Sequence, residues 1–152
     1  MTADLVARLR RLGQTVATAE SLTAGMVAAE LTSVPGSSAV LRGGLIVYAT
    51  ELKAQLAGVD RQLLADHGAV HPDVAAQLAQ GARERCGATW GLGLTGVAGP
   101  DPQDGIAPGT VYVAVAGPPG VAVRRLRLSG DRQDVRTGSV AGVLELLREC
   151  LK

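Results

Sequence analysis

Residues 89–128 read TWGLGLTGVAGPDPQDGIAPGTVYVAVAGPPGVAVRRLRL, and this stretch decides the fold. Thr89 to Thr95 is a short apolar run of strand length. A loop rich in Gly and Pro follows from Gly96 to Gly109. Thr110 to Ala116 and Val121 to Leu128 are then two β-rich runs joined by Gly117-Pro118-Pro119-Gly120, the pattern of a hairpin. Working outward, Asp131 is placed to cap a last helix in which Val140, Leu144, Leu147 and Leu151 recur at spacings of four, three and four.

Upstream, helices alternate with short strands. Leu5, Leu9 and Leu12 lie on one helical face, and Gly13 ends it. Thr15 to Ala19 is β-capable; Ser21 reads as the N-cap of a helix from Leu22 to Thr32. Leu45 to Tyr48 is a buried strand by composition, and a helix starts near Glu51. Asp60 opens a short helix ending at His67-Gly68, and His71-Pro72-Asp73 opens a longer one. Strands separated by helices pair in parallel, and the hairpin closes the set. The expected fold is therefore a single α/β domain over residues 1–152. It is a three-layer α/β/α arrangement whose mixed, mostly parallel sheet of about five strands is closed by a C-terminal hairpin and helix.

Bulk composition excludes several classes. Of the 152 residues, 47% are hydrophobic and 19% charged, which is the balance of a folded domain. Aromatics are 2% and the formal net charge is +1, which argues against nucleic acid as a partner. No stretch approaches the roughly 20 apolar residues that span a bilayer, so no membrane is expected. The N-terminus is an amphipathic helix rather than a signal peptide, and Cys86 and Cys150 show no ligand spacing. A cytoplasmic location, no metal and no cofactor follow as expectations. His67 and His71 are interrupted by Gly68 and read as the end of one helix and the start of the next.

Ligands in such sheets lie beyond the carboxyl ends of the strands. The unusual turns after Glu20, Tyr48 and Thr95 all fall there. Ser21 and Thr23 sit where a helix N-terminus would favour a phosphate or an oxyanion. A serine of Gly36-Ser37-Ser38, with Tyr48 and Lys53, can form a nucleophilic set without histidine, since a Lys desolvated enough to lose its proton can deprotonate a Ser hydroxyl. The small residues Thr95, Gly96 and Gly99 let the backbone approach a ligand, and Arg132 and Arg136, one turn apart, can clamp a phosphate or carboxylate.

Five segments in this order resemble the CinA C-terminal domain family: AESLTAG at 19–25, LTSVPGSSAVLRGGLIVYATELKAQLAGV at 31–59, HGAV at 67–70, GLTGVAGP at 93–100 and SGDRQDVR at 129–136. The chain resembles the stand-alone form of that family, with Ala24 where a glycine is usual. The resemblance implies a metal-free homodimeric amidohydrolase that deamidates nicotinamide mononucleotide to nicotinate mononucleotide and ammonia. It implies a catalytic set of Ser21, Ser38, Tyr48 and Lys53, with Thr95 and Arg132 or Arg136 near the ligand. Ser38 is the favoured nucleophile with Lys53 as base, and Ser21 is the open alternative. Backbone donors from Thr95 to Gly99 are placed to stabilise the oxyanion. The rival reading is a non-catalytic binding protein linked to competence or DNA repair.

Overall fold

The computed structural model describes residues 1–151. Its one sheet has five strands in the order β2-β1-β3-β4-β5. These are β1 (Val16–Glu20), β2 (Leu41–Ile46), β3 (Trp90–Gly96), β4 (Thr110–Gly117) and β5 (Gly120–Arg127). β1 runs parallel to both β2 and β3. β4 is antiparallel to β3, and β5 to β4, so the hairpin closes the sheet as the sequence pattern requires.

Alternation along the strands separates two helical layers. Val16 of β1, the Trp90, Leu92, Leu94 series of β3 and the Val111, Val113, Val115 series of β4 share a core with α1 (Thr2–Arg11), α2 (Met26–Thr32) and α6 (Arg132–Cys150). Ala17 and Ala19 of β1 turn the other way, towards Ala57 of α3 (Thr50–Ala57) and Val74, Leu78 and Ala82 of α5 (Pro72–Cys86). Leu63 and Leu64 of the short α4 (Arg61–His67) pack on the edge of that second core. With few aromatics available, small residues set the spacing. A Cβ on Gly91 would lie 2.0 Å from the Ala79 carbonyl oxygen, and one on Gly93 2.4 Å from that of Ala75. The glycines of β3 therefore admit the α5 backbone directly onto the sheet, over the strand that carries Thr95.

Helix ends follow the expected chemistry in most places. Asp131 and Asp134 form a reciprocal capping box at α6, Asp60 caps α4, and the His71 ring accepts from the Asp73 N–H at α5. The exception is α2. It starts at Met26 after Gly25, four residues later than the Ser21 cap predicts, and residues 21–25 form a turn instead. β2 also lies earlier than expected and stops at Ile46, which leaves Val47 and Tyr48 in the connection to α3. Cys86 and Cys150 are free and half-buried near the ends of α5 and α6. No helix among the described residues is long and apolar enough to cross a membrane.

Replacing Gly93 with Ala forces the methyl against α5 backbone that has no side chain to swing away. The variant should lose roughly 1–3 kcal/mol of stability in a chemical denaturation curve; a change below about 0.5 kcal/mol would show that the close approach is not required.

Candidate functional site

The β1–α2 turn owes its shape to Glu20. This residue ends β1 on the α2 side of the sheet and is fully buried. Its carboxylate accepts from the Thr18 and Thr23 hydroxyls at 3.0 and 2.7 Å. It also accepts from the backbone N–H groups of Gly25, Val27 and Ala28 at 3.2, 2.9 and 3.1 Å. An acid from the sheet thus satisfies the free donors at the start of α2. The anion site expected at that helix end is already filled by the protein, and Thr23 is consumed in filling it. The chain must turn tightly to allow this, and Ala24 takes φ +46° where glycine would be unstrained.

Ser21 is thereby released from capping. Its N–H donates to the Leu94 carbonyl at 3.2 Å, while its hydroxyl faces Lys53. Lys53 lies on the first turns of α3 and is 1% exposed. Its Nζ donates to Ser21 Oγ at 3.0 Å, to the Val47 carbonyl at 2.9 Å and to the Tyr48 carbonyl at 3.2 Å. Burial favours the uncharged amine and brings the Lys53 pKa down from 10.5 to about 8, against the opposing pull of the Glu51 carboxylate. When Nζ loses a proton, two N–H groups remain for the two carbonyls and the lone pair faces Ser21 Oγ. The arrangement can remove a proton from that hydroxyl.

Ser21 and Lys53 form the inner wall of a cleft of about 520 Å³ at the carboxyl ends of the parallel strands. Tyr48 and Thr50 line one side; Thr95, Gly96 and Gly99 line another. The turns after Glu20, Tyr48 and Thr95 do converge, as their positions in sequence suggest. The Thr95 hydroxyl is tied to the Ala69 carbonyl at 2.8 Å, so it shapes the floor and leaves its proton unavailable to a ligand. Arg132 reaches over from the start of α6 and donates to the Tyr48 hydroxyl at 3.0 Å and to the Gly99 carbonyl at 2.6 Å. It is the cationic side chain at the mouth of the cleft.

Two expected site residues are placed elsewhere. Ser38 is exposed, in the short 3-10 turn Ser37–Ala39 that leads into β2. Tyr48 follows the far end of that six-residue strand, about 20 Å along it. Ser38 therefore belongs to the amino edge of the sheet, and the expected Ser38–Lys53 pair is not formed. Arg136 donates through Nε to the Leu22 carbonyl at 2.9 Å and through Nη1 to Gln133 Oε1 at 3.1 Å, and it does not line the cleft. The two arginines do not act as one clamp. Glu20 is the residue that sequence reasoning missed. An acid at the end of an apolar strand, five residues before a glycine that begins a helix, was the available signal. Among the described residues no group of three or more His, Cys, Asp or Glu side chains is placed to hold a metal.

The fold and cleft define a small layered α/β domain with a cleft at the carboxyl ends of its parallel strands. The chain belongs to the CinA C-terminal domain family, whose model matches residues 1–151. It is 52% identical over 137 residues to a CinA-like protein of Frankia casuarinae, covering 90% of this chain and 32% of that one. A CinA-like protein of Anaeromyxobacter sp. (strain K) is 49% identical over 149 residues, covering 97% and 36%. The chain thus spans about a third of the length of these relatives. Among solved structures, the competence/damage inducible protein CihA from Agrobacterium tumefaciens superposes with a TM-score of 0.93 at 33% identity, covering 99% of this chain and 96% of that one. A CinA superfamily protein from Klebsiella pneumoniae superposes with a TM-score of 0.95 at 29% identity, covering 99% and 94%.

If Ala24 stores strain in the turn, Ala24→Gly should stabilise the protein by about 1 kcal/mol, less the extra chain entropy of glycine. A denaturation midpoint below that of the wild type would contradict the strained assignment.

Proposed function

We propose that this domain hydrolyses the carboxamide of nicotinamide mononucleotide, with Ser21 as nucleophile and Lys53 as general base. The observation that carries the reading is the 3.0 Å contact between a nearly fully buried lysine amine and a serine hydroxyl, inside a cleft with a single arginine at its mouth. The resemblance of the motifs around this pair to those of nucleotide deamidases supplies the substrate.

In the proposed reaction Ser21 Oγ passes its proton to Lys53 Nζ and bonds to the carboxamide carbon. The tetrahedral adduct collapses, the C–N bond breaks, and the departing nitrogen takes the proton from Lys53, leaving as ammonia. Water then attacks the nicotinoyl ester, its proton goes to Lys53, and Ser21 regains a proton as nicotinate mononucleotide departs. Arg132 is suited to the ribose phosphate, because a planar guanidinium can trade its contacts with Tyr48 and Gly99 for a bidentate pair. The Tyr48 oxygen already accepts from Arg132, so its own proton is free for the substrate.

Ammonia release from nicotinamide mononucleotide should fall at least about a thousandfold in Ser21→Ala and in Lys53→Ala, and stay near wild type in Ser38→Ala. Loss of activity in Ser38→Ala with retention in Ser21→Ala would reverse the assignment. No release by the wild type at any pH would favour the binding-protein reading.

The base must be uncharged to act. With Lys53 titrating at about 8, kcat/KM should rise about tenfold per pH unit below that value and level off above it. A profile already flat at pH 6 would remove Lys53 as the base.

A further inference from the structure

Hydrolysis through Ser21 creates a negative oxygen one bond from the atom that Ser21 attacks, and the site must hold it. Two hydroxyls near Ser21 are already committed: Thr95 is tied to Ala69, and Thr23 to Glu20. The Ser21 N–H is used by Leu94, and that of Ala24 by the Ser21 carbonyl. The N–H groups of Gly25, Val27 and Ala28 are used by Glu20.

Two donors of the turn are left. The backbone N–H groups of Leu22 and Thr23 have no acceptor among the described residues, although both residues are buried. Buried N–H groups are nearly always paired, so an unpaired couple beside a nucleophile calls for a ligand. Their direction follows from the carbonyls bonded to them. The Ser21 carbonyl turns inward to the Ala24 N–H at 3.1 Å, and the Leu22 carbonyl turns to Arg136 at 2.9 Å. A trans peptide points its N–H opposite to its C=O. The Leu22 and Thr23 N–H groups therefore point away from the Ala24 N–H and from Arg136, and Leu22 lines the cleft beside Ser21.

We propose that the N–H groups of Leu22 and Thr23 bind the oxyanion of the tetrahedral adduct, and that Glu20 is the positioning residue that holds them there. Glu20 draws in the donors that follow along the chain and fixes the turn, while Arg136 anchors its outer carbonyl. This gives a purpose to a buried acid that never meets the cleft. It also gives Arg136 a role distinct from substrate binding. Donation by the residue after the nucleophile is a recurrent solution in serine hydrolases of other folds.

The inference rests on Ser21 as nucleophile, and the experiment below does not depend on the natural substrate. A fluorophosphonate reagent reacts when Ser21 Oγ bonds to phosphorus, the P–F bond breaks as fluoride leaves, and the serine proton passes to Lys53. The phosphoryl oxygen then occupies the oxyanion position. Labelling of Ser21 is followed by intact mass on the full chain. Variants replace a single backbone N–H by an ester oxygen at Leu22 or Thr23, keeping each side chain through α-hydroxy acid incorporation.

Each ester should slow labelling by roughly 10- to 1000-fold, the range for loss of one oxyanion donor. In Glu20→Gln the plateau rate should fall at least about tenfold, while the pH midpoint stays at about 8 because Lys53 is untouched. A merely structural role would move both. Wild-type rates in both ester variants would overturn the inference, as would slowing by an ester at Ala98 alone, which would move the oxyanion to the 95–99 loop. A wild type that is never labelled at Ser21 would overturn it together with the nucleophile assignment. Wild type that is labelled but releases no ammonia from nicotinamide mononucleotide would remove only the substrate reading, and the oxyanion site would stand on the ester variants.

Discussion

The carboxylate of Glu20, closed in by five donors, is the contact on which the rest of the site depends. An acid without partners could not be buried at the end of a central strand. Here the sheet supplies one hydroxyl, the following turn supplies two donors and the first turn of α2 the other two. That requirement delays α2 until Met26 and leaves residues 21–25 outside any helix. Ser21 would otherwise cap the helix and spend its oxygen on the backbone. Freed from that duty, it points across the carboxyl end of β1 to the neighbouring connection.

That connection is the second constraint. β2 ends at Ile46, and the chain turns through Val47 and Tyr48 into α3 with both carbonyls aimed inward. A lysine on the next helical turn answers them. Its burial would be costly for a permanently charged group, and the surroundings contain acceptors but no carboxylate in contact with Nζ. The amine is held in place while its proton is weakly held, which is the property that a base near neutral pH requires. The β3 glycines serve the same site from the other side. By seating α5 directly on the sheet, they bring the connection around Ala69 close enough to fix the Thr95 hydroxyl.

Much of this was legible in the chain. The alternation of strands with helices, the hairpin and the convergence of three turns all follow from patterns of period, glycine and proline. Lys53 and Tyr48 could be assigned to one cleft because the strand before them and the helix after them fix their relation. Ser38 was misplaced for a physical reason. In a parallel sheet a residue before a strand and one after it lie at opposite edges, and Leu41, where β2 begins, follows Ser38 closely. The favoured strand, Leu45 to Tyr48, began too late to show this. Glu20 left only a faint signal, its place at the end of an apolar strand, because its partners are mainly backbone N–H groups, which carry no mark in sequence. The helix-cap reading of Ser21 failed with it: a preferred capping residue lost its role to an acid one position earlier.

The central claim is that Lys53 holds its proton loosely enough to act as a base on Ser21. A direct test is to titrate the Lys53 ε-amino group by nitrogen-detected NMR on uniformly lysine-labelled protein, assigned with Lys53→Arg. The account predicts a midpoint at about 8. A midpoint at the ordinary lysine value near 10.5 would contradict it.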